Sequence, residues 1–179
     1  MQYTILGLLL AGPLSLYDVQ KRFAAGLSHF YSASSGSIER ALRRLVADGD
    51  ATVEPEPGSA RGKKLYRITE AGRAAWRDWM HAPTPSGSDA ETTALAKVFL
   101  LGRLDDRTER GQVLAGIRAE AEASRARLSA LAAAVDARAT SLAATERQLF
   151  ASQRATLDYG LRAHDTLISW VRECEGSLA

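Results

Sequence analysis

Apolar positions along the chain change period several times, and each change marks an element. Ile5 to Leu10 form an apolar run that stops at Gly12-Pro13, which predicts a buried first helix over roughly Gln2 to Leu10. A second helix opens at Ser15 and turns Leu16, Val19, Phe23 and Leu27 to one side. In "SSGSIERALRRL", Ile38, Leu42 and Leu45 recur at helical spacing, so a third helix buries one stripe and leaves its serines and arginines on the other. Asp48-Gly49-Asp50 ends it.

The period then shortens. "ATVEPEPGSARGKKLYRIT" has extended character on both sides of a Pro-, Gly- and Ser-containing tip, which predicts a β-hairpin with its loop at Gly58 to Gly62. Thr69 and Glu70 start a fourth helix carrying Trp76 and Trp79. Helix, helix, helix, hairpin, helix is the order of a winged helix-turn-helix. "HAPTPSGSDAE", His81 to Glu91, then reads as a boundary.

Beyond it the pattern is purely helical. Ser88 with Glu91 and Asp106 with Glu109 have capping-box spacing, and each precedes an apolar-periodic run. In the long helix that follows, Leu114, Ile117, Ala121, Ser124, Leu128, Leu131 and Val135 step by three and four, the spacing of a heptad seam. After a break near Arg138 to Ser141, a last helix runs to about Glu173 with a wide apolar stripe that includes Leu157, Leu161 and Ile168. Three helices, two of them long, do not easily close a core alone, so a homodimer is expected, packed through Leu114, Ile117, Leu128, Leu131, Leu157, Leu161 and Ile168. The expected fold is mostly α: a winged helix-turn-helix with a two-stranded wing at 1–81, a linker at 82–89 and a three-helix dimerisation domain at 90–179.

Composition narrows the function. The 179 residues are 46% hydrophobic and 25% charged, ordinary for a folded chain. The single cysteine, Cys174, excludes an intrachain disulfide and fits a reducing cytoplasm. Ile5 to Leu10 has no basic segment before it and is too short to span a bilayer, so no membrane segment is expected. His29, His81 and His164 lack partners at metal spacing, and the phosphate-binding glycine motifs and the nucleophile elbow do not occur, so neither metal nor cofactor nor enzymatic site is expected.

The net charge of +2 is modest, but positions 57 to 67 hold Arg61, Lys63, Lys64 and Arg67 and no acid. A winged helix presents one helix to the major groove and lets its hairpin reach the backbone or an adjacent groove. Both elements carry suitable chemistry here. Ser34, Ser35 and Ser37 at the start of the third helix offer hydroxyls and N–H groups to phosphate at the positive end of the helix dipole. Arg40, Arg43 and Arg44 follow, where a guanidinium can pair with guanine or phosphate, while Glu39 can accept from cytosine or repel phosphate. Arg61, Lys63 and Lys64 make a cationic tip for phosphate contact. Double-stranded DNA is the expected partner; the alternative is a winged-helix protein-interaction module without a specific operator.

"TILGLLLAGPLSLYDVQKRF", "SSGSIERALRRLVADGD" and "GKKLYRITEAGRAAW" resemble three blocks of the PadR family of bacterial transcriptional regulators. "TLDYGLRAHDTLISWVRE" resembles the closing helix of its longer members, those with a helical dimerisation domain. The resemblance implies a cytoplasmic homodimeric repressor on a pseudo-palindromic operator, released by a small molecule. It matches Tyr17 to the family's helix-two tyrosine, Ser35 and Ser37 to its recognition-helix serines, and Arg61, Lys63 and Lys64 to its basic wing. Two positions depart from it: Glu39-Arg40 stands where the family usually has Tyr-Pro, and Ser15-Leu16 where it usually has His-Gly. For a small aromatic effector the candidates are Trp76 and Trp79, where the two domains are expected to meet, and Phe99, Tyr159 and Trp170 on the dimerisation helices.

Overall fold

The computed structural model describes residues 1–56, 58, 62–87, 89–139 and 144–179. Arg61, Ser88 and Ser141 lie outside the described residues, and with them the first wing cation, one expected capping box and the end of the expected break. The elements are α1 (Gln2–Leu9), α2 (Leu16–Gly26), α3 (Ser35–Ala47), β1 (Ala51–Pro55), β2 (Lys64–Ile68), α4 (Glu70–His81), α5 (Ala90–Leu100), a 3-10 turn (Leu101–Arg103), α6 (Arg107–Ala139) and α7 (Ala144–Leu178). This is a mostly helical chain with an N-terminal winged helix-turn-helix.

Local chemistry explains the boundaries. Ser15 and Asp18 form a complete capping box at α2: the Asp18 amide donates to the Ser15 hydroxyl at 3.2 Å, and the Ser15 amide donates to the Asp18 carboxylate at 3.0 Å. Ser34 caps α3 by accepting from the Ser37 amide. Gly49, at φ +82°, takes the left-handed conformation that lets the chain leave α3 for β1. Thr69 caps α4 and also donates to the Gly49 carbonyl at 2.8 Å, which ties the end of α3 to the start of α4.

The hairpin is antiparallel, with Ala51 opposite Ile68, Val53 opposite Tyr66 and Pro55 opposite Lys64. Leu14 adds a bridge on its far side, exchanging two backbone hydrogen bonds with Tyr66 at 2.8 and 3.0 Å. That bridge fixes the wing to the entrance of α2. The amphipathic face of α3 inserts Ile38, Ala41, Leu42 and Leu45 beneath α1 and α2, so its opposite face is left to solvent.

One hydrophobic core runs through both halves. Ile5, Leu9, Phe23 and Leu42 share it with Leu100, Leu104, Leu114 and Val171. The segment read as a linker is partly built into this packing, because Thr84 is buried and the Ala82 carbonyl accepts from the buried Lys97 ammonium. Trp79 lies nearby: Tyr3 stacks on it at 5.5 Å, and the Lys97 ammonium sits 5.6 Å from its ring.

α6 and α7 form an antiparallel hairpin laced by ion pairs between Arg118 and Glu175, Arg125 and Asp165, and Arg154 and Asp136. Gly160 lets Leu128 nest against α7, since a Cβ there would lie 2.7 Å from the leucine methyl. Leu114, Ile117 and Ile168 fill the chain's own core, at 0, 2 and 7% exposure. They are therefore buried within the single chain. Leu128, Leu157 and Leu161 are half-buried, and Leu131 is 50% exposed. The heptad spacing assigns Leu114, Ile117, Leu128 and Leu131 to one face of α6, and their burial changes along the helix.

Two expected helix starts also differ. α5 has Asp89 as its N-cap, without a side-chain cap bond. At α6 the Asp106 carboxylate accepts from the Thr108 amide at 2.7 Å, but Glu109 turns away to pair with Arg77 of α4 at 2.9 Å. A cross-element cation has drawn the second half of that capping box into a bridge between the two halves of the chain.

Candidate nucleic-acid interface

The solvent face of α3, the start of α2 and the base of the wing converge on one groove of about 620 Å³. Tyr17 and Gln20 come from α2, Glu39 and Arg43 from α3, and Lys63 and Lys64 from the wing. Tyr17 is 69% exposed at its rim. Five of these six lie on elements the sequence leads one to expect at DNA; Gln20 does not stand out in it, since an isolated glutamine on an amphipathic helix carries no signal of its own.

The three serines are already engaged within the chain. Ser34 accepts from the Ser37 amide, the Ser37 hydroxyl donates to the Ser34 carbonyl at 2.7 Å, and Gln20 donates to the Ser35 hydroxyl at 2.5 Å. Ser34 and Ser37 thus build the helix start, and Gln20 anchors it to α2. The Ser35 hydroxyl accepts in that bond and keeps its own proton to donate. Because the first N–H groups of a helix lack partners within it, this end remains suited to an anion.

The cations fall into two groups. Arg43 pairs with Glu39 at 3.5 Å, Arg44 with Asp48 at 3.0 Å, and Lys63 with both Glu56 at 3.3 Å and Asp18 at 3.9 Å. Arg40 and Lys64 are exposed and have no acidic partner among the described residues. Asp18 is held below the usual carboxylate range, chiefly by its Ser15 hydrogen bonds, with Lys63 and Arg22 adding to the effect. It therefore stays ionised beside the wing.

The aromatic candidates for an effector lie in separate places. Trp76 is 4% exposed within the shared core, and the half-buried Trp79 stacks on Tyr3 with the Lys97 ammonium 5.6 Å from its ring. Phe99 is half-exposed and packs over Gly26 of α2, where a Cβ would lie 2.8 Å from its ring. Tyr159 and Trp170 do share one cavity of about 450 Å³, walled by Leu95 and Leu167. Among the described residues no group of three or more His, Cys, Asp or Glu side chains is arranged to hold a metal ion, and no helix is long and apolar enough to cross a membrane.

The family model described as "Transcriptional regulator PadR-like family" matches residues 5–78. The negative transcriptional regulator PadR of Bacillus subtilis is 36% identical over 88 residues, 48% of this chain and 48% of that protein. A transcriptional regulator of Mycobacterium tuberculosis is 43% identical over 47 residues, 26% of this chain and 44% of that protein. The matched part thus spans about half the length of these curated relatives. Two solved structures align over nearly the whole chain. Bacillus subtilis PadR in complex with operator DNA does so at 24% identity and a TM-score of 0.44, covering 99% of this chain and 97% of that one. The Vibrio cholerae virulence activator AphA does so at 26% identity and a TM-score of 0.42, covering 99% and 96%. Residues 5–78, which hold α3, the wing and all but the last turn of α4, are thus similar to the transcriptional regulator PadR-like family.

Proposed function

We propose that the chain is a sequence-specific double-stranded DNA-binding regulator, acting as a homodimeric repressor at a pseudo-palindromic operator in the cytoplasm. The observation that carries this reading is the convergence of the α3 polar face with Lys63 and Lys64 of the wing on one groove. A helix whose apolar side is locked into a core and whose arginines face outward can enter a major groove. The serine-rich helix start and the wing lysines then clamp phosphate, while Arg40 and Arg43 reach base edges.

Dimerisation is supported by the α6–α7 hairpin, whose outer surface keeps Leu131 and Leu149 at 50 and 64% exposure. Large apolar side chains left in water along a long helical pair favour association with a second copy. Repression follows the curated Bacillus relative, a negative regulator. The Tyr159 and Trp170 cavity supports a small aromatic effector, since two aromatic side chains and two leucines suit an apolar planar ligand.

The test is a gel-shift titration with the DNA upstream of the protein's own gene, followed by footprinting. A competitor-resistant complex protecting two related half-sites is the expected result. Loss of every complex to nonspecific competitor, on this DNA and on a random duplex library, would leave the protein-interaction alternative.

A further inference from the structure

Three cations of the DNA face are each held by an acid of the same chain. Arg43 is held by Glu39, Arg44 by Asp48, and Lys63 by Glu56 and Asp18. These pairs are unlike the ion pairs of the α6–α7 hairpin. Arg118 meets Glu175 at 3.0 Å with both side chains at least two-thirds covered, whereas Arg43 and Glu39 meet at 3.5 Å with 67 and 47% of their side chains exposed. A long, exposed pair contributes little to folding and exchanges partners readily.

Its position gives it a different consequence. Every phosphate that approaches Arg43 or Lys63 must displace a carboxylate and then tolerate that carboxylate in the same groove. On arbitrary DNA, phosphate is the main partner on offer, so these cations contribute less than their number suggests. On a matched sequence the exchange closes on both sides: Arg43 can turn to guanine O6 and N7, and the released Glu39 carboxylate can accept from a base amino group in the major groove.

We propose that Glu39 and Glu56 are specificity determinants of the DNA face, acting as internal counter-charges that withhold Arg43 and Lys63 from nonspecific phosphate until a matched site supplies partners for both members of each pair. This rests on the DNA-binding reading above. Lys64, which lacks such a partner among the described residues, supplies sequence-independent attraction, and Arg40, equally without one, is not withheld in this way from the base edges it reaches. Asp18 belongs to the same network but also caps α2, so it is a poor site for a test.

The experiment compares the wild type with Glu39→Gln, Glu39→Gln/Glu56→Gln and the distal control Glu173→Gln. Binding to the operator and to a scrambled duplex of equal length is followed by fluorescence anisotropy across a salt series. Each acid removed from the groove should tighten scrambled-duplex binding by about two- to fivefold, as expected for an exposed pair. Its salt slope should steepen by about one on release of Arg43, and by less on loss of Glu56 because Asp18 still meets Lys63. Operator affinity should stay level or fall, so that the ratio of operator to scrambled affinity drops, while Glu173→Gln leaves that ratio in place. Glu39→Gln should also relax base preference at one position of each half-site in a randomised-site selection.

Equal tightening on both duplexes would overturn the proposal, because the acids would then be a uniform repulsion. No change on either duplex would overturn it as well. Failure of the wild type to bind any duplex would instead remove the DNA-binding reading itself, and this one with it. Both glutamates are partly exposed, and unchanged thermal unfolding of the variants confirms that the comparison is one of binding.

Discussion

Lys97 sits at the junction of the two halves of the chain, and its titration can be read out as stability. Its side chain is 2% exposed, its ammonium donates to the Ala82 carbonyl, and the Trp79 ring lies 5.6 Å away, but no carboxylate among the described residues pairs with it. Burial lowers its pKa from 10.5 to about 8. At roughly 1.4 kcal/mol per tenfold change, that corresponds to about 3 kcal/mol set against the folded state wherever the lysine is charged in both states. The sign follows from which state holds the proton. Below pH 8 both do, and the penalty is complete; between about 8 and 10.5 the folded chain releases its proton first, so the lysine's contribution to stability rises with pH.

Lys97→Met removes the titration. It also forfeits the bond to Ala82, worth about 1 kcal/mol, and the contact with Trp79, worth about 1 kcal/mol. At neutral pH the variant should therefore be more stable than the wild type by about 1 kcal/mol. That advantage should shrink and reverse, by about 3 kcal/mol in all, as pH rises through the window from 8 to 10.5. Urea unfolding of both proteins at steps across this window measures it, and subtracting one curve from the other cancels tyrosine titration, including that of Tyr31, whose pKa burial raises. A stability difference that stays constant with pH would refute the assignment of a buried, unpaired ammonium.

Gly72→Ala should destabilise the winged helix by about 3 kcal/mol, because the new Cβ would lie 2.1 Å from the Asp50 carbonyl oxygen; thermal unfolding reads this directly. Leu131→Glu with Leu149→Glu should shift the protein toward monomer in sedimentation velocity, with helical content by circular dichroism retained, since both leucines are already solvent-facing in the single chain. Lys64→Ala should weaken operator and scrambled DNA by the same factor and reduce the salt slope by about one, whereas Arg40→Ala should cost about 1–3 kcal/mol at the operator and relax base preference there. Anisotropy on matched and single-base-changed duplexes separates the two.

The order of elements in the N-terminal half is legible in the sequence because its turns are punctuated chemically. Ser15 with Asp18, Ser34, Gly49 and Thr69 each perform at a boundary the task their residue type suggests. Those signals act over three or four residues, within reach of local reading. The contents of the proposed DNA face are legible as residue types on α3 and the wing, but their pairing is not. Lys63 meets Asp18 only after Leu14 has bridged to Tyr66 and drawn the wing onto α2.

The helical half shows the other limit. Leu114 and Leu131 occupy the same seam by spacing, yet one is fully buried and the other 50% exposed. Periodicity reports a face and is silent on what lies against it. α6 packs mainly on α7, with α4 and α5 also against it, and Leu114 shares the core with residues of the winged helix. Lys97 is hidden from sequence reading for a similar reason. A lysine on a helix is ordinarily at the surface, and the segment that buries this one, around Ala82 and Thr84, has the composition of a linker.

The most direct test of the DNA-binding role is the dependence of operator affinity on salt in the presence of excess nonspecific competitor. A dimer neutralising on the order of 6 to 10 phosphates should lose roughly a thousandfold or more in affinity between about 50 and 200 mM salt while still preferring its operator over competitor. An affinity that stays flat across that range, or a complex that competitor abolishes at every salt concentration, would contradict the assignment of α3 and the wing to DNA.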